Sequence, residues 1–156
     1  MAQILIADDD EIIAELAANI LMDDGHACGW VTDGRKLMDL IAWKRPDLIL
    51  LDQEMPEKNG NQVLRELRTS EKYYDIPVIM FTAKSGKQDE LQAIYAGAHD
   101  YVRKPFTPEL LLWHVNKALQ LRAERPRHVD LKTVMRQSSG QSADHDKDWR
   151  SIPRAV

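Results

Sequence analysis

The chain alternates between short apolar runs and longer stretches whose apolar residues recur at helical spacing. The runs predict strands at Gln3–Ala7, Ala27–Val31, Asp47–Leu51, Ile76–Phe81 and Asp100–Arg103. Between the first two, Ile12, Ile13, Leu16, Ile20 and Leu21 repeat at helical spacing, and Gly25 follows as a stop. Gly34 precedes Leu37, Leu40 and Ile41 of a second helix, and Asn61 opens a third with Val63, Leu64 and Leu67. Gln88 to Ala96 reads as a fourth, closed by Gly97. Thr107-Pro108 starts a fifth, with proline at the first helical position, where its missing N–H costs nothing.

Five β-α units imply an α/β fold with a parallel sheet covered by helices on both faces. Right-handed crossovers favour a doubly wound, flavodoxin-like order 2-1-3-4-5. In that order strands 1 and 3 are neighbours, and the chain reverses direction between them. Ligands bind at the carboxyl ends of the strands beside such a reversal.

The strand ends carry the chemistry. The first strand stops at Asp8-Asp9 and the third at Asp52, so three carboxylates converge on the switch-point crevice. Such a cluster repels itself unless a cation neutralises it, and hard oxygen ligands suit Mg²⁺. The fourth strand ends at Thr82 and the fifth at Lys104-Pro105. Three acids, a hydroxyl and an ammonium form the set that a metal, an acyl-phosphate and its oxygens need.

Length and composition narrow the class. The 156 residues suffice for one domain with a real core, with 44% hydrophobic and 29% charged residues. Net charge −4 argues weakly against non-specific nucleic-acid binding, which favours basic domains. The single cysteine, Cys28, fits a reducing compartment and a buried apolar position. No apolar run approaches the ~20 residues of a membrane span, and no signal peptide is visible, so a cytoplasmic location is expected. The five histidines show no zinc-ligand spacing. The chain changes character near its end. Residues 1–124 read as the folded domain, and 125–156 as a mostly disordered tail or the start of a linker. Within the tail, Val129, Leu131, Val134 and Met135 fit one short helix.

Over residues 3 to about 122 the sequence resembles the receiver domain of two-component response regulators. Asp8-Asp9 resembles the family's acidic pair. Asp52-Gln53-Glu54-Met55-Pro56-Glu57-Lys58-Asn59-Gly60 resembles its phosphoacceptor loop. Thr82-Ala83 matches the switch hydroxyl and its small neighbour, and Lys104-Pro105-Phe106 the phosphate-binding lysine and its proline. Tyr101 occupies the switch-aromatic position. Each piece alone is weak; all of them in order, each at a strand end, are specific.

The resemblance implies a mechanism. Asp52 would attack the phosphorus of a phosphohistidine on a sensor histidine kinase or phosphotransfer protein, or of a small phosphodonor. Asp9, Asp52 and the backbone carbonyl of Glu54 would bind Mg²⁺ directly, with Asp8 acting mostly through water. Lys104 and Thr82 would hold phosphoryl oxygens. A cis bond before Pro105 would aim the lysine at the site. Phosphorylation would draw Thr82 inward, and Tyr101 would turn from exposed to buried, altering the face of helix 4, strand 5 and helix 5. A protein of this kind catalyses its own phosphorylation and dephosphorylation but serves as a switch. Glu54 and Lys84 should rim the pocket mouth and set the lifetime of the phosphoryl group. Trp113, opposite the stripe Leu111, Val115, Ala118 and Leu119, is expected on the output face. A downstream protein or a second copy of the chain would dock there.

Other readings fit parts of the pattern. Taken singly, Asp8 to Glu11 fits a helix cap, Asp52 a loop carboxylate and Lys104 a solvated lysine. A haloacid-dehalogenase-like phosphatase also forms an aspartyl-phosphate, but it needs a second Asp two residues after the nucleophile, where Glu54 stands. Nucleotide-binding glycine motifs are absent; Ser85-Gly86-Lys87 is only a fragment. The front end of a longer DNA-binding regulator is the remaining alternative.

Overall fold

In the computed structural model, residues 1–84 and 86–124 are described. Five parallel strands, β1 (Gln3–Ala7), β2 (Ala27–Val31), β3 (Leu48–Leu51), β4 (Val78–Thr82) and β5 (Asp100–Arg103), pair in the order β2-β1-β3-β4-β5. They alternate with α1 (Glu11–Asp23), α2 (Gly34–Trp43), α3 (Gly60–Thr69), α4 (Lys87–Ala96) and α5 (Pro108–Glu124). The expected doubly wound, flavodoxin-like α/β fold is the observed one.

Burial on both faces explains why the strands read as unbroken apolar runs. Successive residues still point to opposite sides. Leu5, Ala7, Ile49, Leu51, Val78 and Met80 pack with α2, α3 and α4. Ile4, Ile6, Leu48, Leu50, Ile79 and Phe81 pack with α1 and α5.

Several expected boundaries shift. β3 begins at Leu48, one residue late, because Asp47 turns its carboxylate onto the Gln3 N–H at 2.8 Å. β4 runs Val78–Thr82 rather than Ile76–Phe81. Ile76 N–H bonds back to Tyr73 as a turn, and Pro77 has no N–H to donate. α3 starts at Gly60, one residue before Asn61, with Asn59 as its cap. α4 starts at Lys87. Gly25 and Gly97 both take left-handed backbone after their helices, as stop residues do.

The expected first helix is present as α1, and packing decides which of its faces is buried. Ile12 and Leu16 are exposed, and the buried stripe is Ala14, Ala17, Ala18 and Leu21. Both sets share the helical period, so spacing alone cannot choose between them. Alanines let the helix axis approach the sheet closely, and the larger side chains are left outside. The predicted tail, with its short helix over Val129–Met135, lies outside the described residues. Among the described residues, no helix is long and apolar enough to cross a membrane.

Candidate functional site

The register of β1 on β3 builds the site. Ala7 lies opposite Leu51, so Asp8 and Asp52 leave the sheet side by side. Their backbones are anchored: Asp52 N–H donates to Ala7 O at 2.8 Å, and Asp8 N–H to Val31 O at 3.1 Å. Carboxylate oxygens of Asp8, Asp9 and Asp52 lie within 4.8 Å of one another. Asp8 and Asp52 are buried, whereas Asp9 is exposed at the mouth. Asp10 stands apart as the α1 cap, accepting from the N–H groups of Ile12 and Ile13.

Lys104 completes the cluster from the end of β5. Its ammonium donates to Asp8 Oδ2 and, at 3.2 Å, to Asp52 Oδ2. The Lys104-Pro105 bond is cis. The ammonium also lies 4.9 Å from the centroid of the Phe81 ring, which meets the Phe106 ring at a 60° tilt with centroids 4.9 Å apart. The sequence reading missed these aromatic neighbours, since an aromatic at a strand end reads as ordinary core.

Burial and charge act on the cluster together. Burial pushes the Asp8 carboxyl up to about 6, the Asp52 charge adds to the push, and Lys104 with the Asp10 N–H opposes it. Burial alone would lower the Lys104 ammonium. The bonds and charges of Asp8 and Asp52 outweigh it and hold the group above the usual lysine value.

The remaining predicted residues surround this centre. Thr82 is buried at the end of β4, and its Oγ1 accepts from Lys84 N–H at 3.3 Å. Glu54 N–H lies 3.4 Å from Asp52 Oδ1, so the loop backbone turns over the carboxylate. The side chains of Glu54 and Lys84 form an exposed ion pair at 3.6 Å. Tyr101 is buried, and its hydroxyl donates to the Lys84 carbonyl. The ring is therefore already inward, whereas the sequence reading expected it to start outside. Trp113 lies away from the cluster on α5, 56% exposed. Gln53 was also missed: its carboxamide receives the Asn61 N–H at the start of α3. Nothing in the sequence spacing signals that contact.

Three clustered acids, two of them bonded to a lysine, at the switch point of a doubly wound sheet define an α/β domain with an acidic centre at its carboxyl edge. A family model described as the response regulator receiver domain matches residues 4–116, and the chain belongs to that family. It is 36% identical over 124 residues to the DNA-binding response regulator MtrA of Mycolicibacterium smegmatis, which covers 80% of this chain and 53% of that one. It is 36% identical over 118 residues to the response regulator MprA of Mycolicibacterium vanbaalenii, covering 76% and 50%. The chain thus spans about half the length of the curated relatives it matches. A signal receiver domain of a histidine kinase from Syntrophus aciditrophicus superposes with a TM-score of 0.74 at 32% identity. That match covers 84% of this chain and 98% of the other. The receiver domain of NtrX from Brucella abortus gives 0.70 at 29% identity, covering 75% and 98%.

Proposed function

We propose that Asp52 is the phosphoacceptor, taking a phosphoryl group from the phosphohistidine of a sensor kinase or phosphotransfer protein, or from a small acyl phosphate. The observation carrying this reading is the placement of Asp52 Oδ2 3.2 Å from Lys104 Nζ, inside the three-carboxylate cluster. An Asp52 oxygen forms the new bond to phosphorus as the bond to the donor's nitrogen or oxygen breaks. Lys104 follows a phosphoryl oxygen with its ammonium, and Thr82 offers its hydroxyl to another. The convergent acids suit a hard divalent cation, with Asp8, Asp9, Asp52 and the Glu54 carbonyl as the groups that would hold Mg²⁺. When bound, Mg²⁺ offsets the repulsion between the attacking carboxylate and the dianionic phosphoryl group.

The output is a shift of Thr82 and of the Tyr101–Lys84 contact behind it. That shift alters the face of α4, β5 and α5, where a downstream protein or a second copy docks. A cytoplasmic location fits this role. The decisive experiment is incubation with Mg²⁺ and acetyl phosphate, read as intact mass. Wild type should gain one phosphoryl group and Asp52→Asn none, with its fold intact. Stoichiometric labelling of Asp52→Asn at another acid would sink the assignment, and turnover of free phosphomonoesters would favour a phosphatase.

A second reading rests on the relatives, one of which is described as DNA-binding and is about twice as long as the match. In it, this receiver is the regulatory half of a longer DNA-binding regulator. The coding sequence beyond Val156 tests that directly.

A further inference from the structure

Gln53 follows Asp52 in sequence, yet its side chain turns away from the carboxylates and toward α3. Its Oε1 accepts from Asn61 N–H at 2.9 Å, and its backbone carbonyl accepts from Gly60 N–H at 2.9 Å. Gly60 and Asn61 are the first two residues of α3, and their N–H groups have no partner inside the helix. The third amide, on Gln62, is taken by the Asn59 side chain, and Gln62 returns the bond to Asn59 N–H. One residue therefore satisfies two of the first three amides of α3 and closes residues 53 to 60 into a ring.

The ring is tight. A Cβ on Gly60 would sit 2.6 Å from the Asp52 carbonyl oxygen and 2.9 Å from Gln53 Oε1. Glu57 within it is held at φ 69, a left-handed conformation that persists in an L-residue only where the surroundings over-determine the backbone. Asp52 and Glu54, two of the groups assigned to the metal, sit at the mouth of this ring. Their position is set by α3 as well as by β3, and the link to α3 runs through Gln53.

We propose that Gln53 is a positioning residue that fixes Asp52 and the Glu54 carbonyl for the cation by locking their loop onto the start of α3. This rests on the metal-dependent phosphoacceptor reading given above. A cap that merely stabilises the helix would change the melting temperature alone. A positioning role changes the affinity for Mg²⁺ before any phosphodonor is added.

The test is calorimetric titration of the unphosphorylated full chain with Mg²⁺, beside thermal melts in a chelator. Gln53→Met keeps the length and removes the acceptor. Asn61→Pro removes the donor at the other end, in a first helical turn that tolerates proline. Both should raise the Mg²⁺ Kd by about tenfold, or ~1.4 kcal/mol. Labelling of Asp52 should still reach the wild-type rate at saturating Mg²⁺. Gln53→Glu keeps the acceptor and should bind Mg²⁺ at least as tightly as wild type. A Kd within about twofold of wild type in whichever bond-breaking variant folds would overturn the proposal, as would weakened binding in Gln53→Glu. If wild type binds Mg²⁺ but is never labelled at Asp52, the phosphoacceptor reading fails instead, and the Mg²⁺ titrations still judge Gln53.

Discussion

The Tyr101 hydroxyl donates to the backbone carbonyl of Lys84, tying β5 to the loop that leaves β4. Tyr101 is only 8% exposed and the bond is partly buried, so it holds the loop against β5. Tyr101→Phe should cost about 1 kcal/mol, the usual worth of a buried hydrogen bond. Hydrogen exchange at the Lys84 amide should quicken, while labelling of Asp52 stays unchanged. Unaltered exchange there would mean that the loop is held by something else.

The Mg²⁺ response should depend on pH through Asp8. Its folded value, about 6, lies above the ordinary carboxylate range because of burial. For an acid raised in this way, the stability contribution is full below the unfolded value and is lost as pH rises through the folded one. The metal-free domain therefore weakens as pH climbs toward and past 6 on account of this group. Mg²⁺ needs the deprotonated carboxylate, so its stabilising effect should appear over the same range. Melts with and without Mg²⁺ should diverge at about pH 8 and converge at about pH 5. Asp8→Asn should flatten that dependence. An equal Mg²⁺ shift at both values would show that Asp8 does not gate the site.

These expectations show how much the sequence reveals. Asp8, Asp9, Asp52 and Thr82 were legible because strands buried on both faces appear as apolar runs, and the polar residues that end each run mark the sheet edge. Lys104 follows the short, partly polar β5 and was legible through the Lys104-Pro105 pair and the family resemblance. The face of α1 was not legible, since Ala14-Ala17-Ala18-Leu21 and Ile12-Leu16 share one period and only packing against the sheet decides between them. The inward rotamer of Tyr101, the Phe81 ring beside Lys104 and the reach of Gln53 to Asn61 depend on side-chain directions. No spacing rule encodes those. The start of β4 failed for a local reason: Ile76-Pro77 looks apolar enough for a strand, but the Ile76 amide closes a turn.

Glu54 and Lys84 should control how long the phosphoryl group survives. Their charged ends meet at 3.6 Å across the pocket mouth. Both are solvent-exposed, so the pair adds little to stability. The effect expected of it is to obstruct a water that approaches in line with the phosphorus. Glu54→Ala and Lys84→Ala should each change the autodephosphorylation rate by more than about twofold, a barrier change of ~0.4 kcal/mol. Melting temperatures should hardly move. Decay rates equal to wild type would reduce the pair to two surface charges.

Trp113 is the residue on which the output surface should turn. α5 buries Leu111 and Val115 against the sheet, leaving the indole 56% exposed on the far side. Lys117 places its ammonium 4.6 Å from the ring centroid, and His114 meets the ring edge-on at 4.9 Å. Leu110 is exposed on the same helix. These contacts orient the indole without covering it, as suits an aromatic that fills a pocket in a partner. Removing it should leave the domain's own stability within about 0.5 kcal/mol, as for most surface changes. Trp113→Ala should also leave Asp52 labelling unchanged while weakening self-association or capture of the downstream partner. Sedimentation of wild type and variant, each with and without a phosphoryl mimic, separates the two effects. If association and partner capture are both indifferent to the substitution, the signal leaves by another face of the domain.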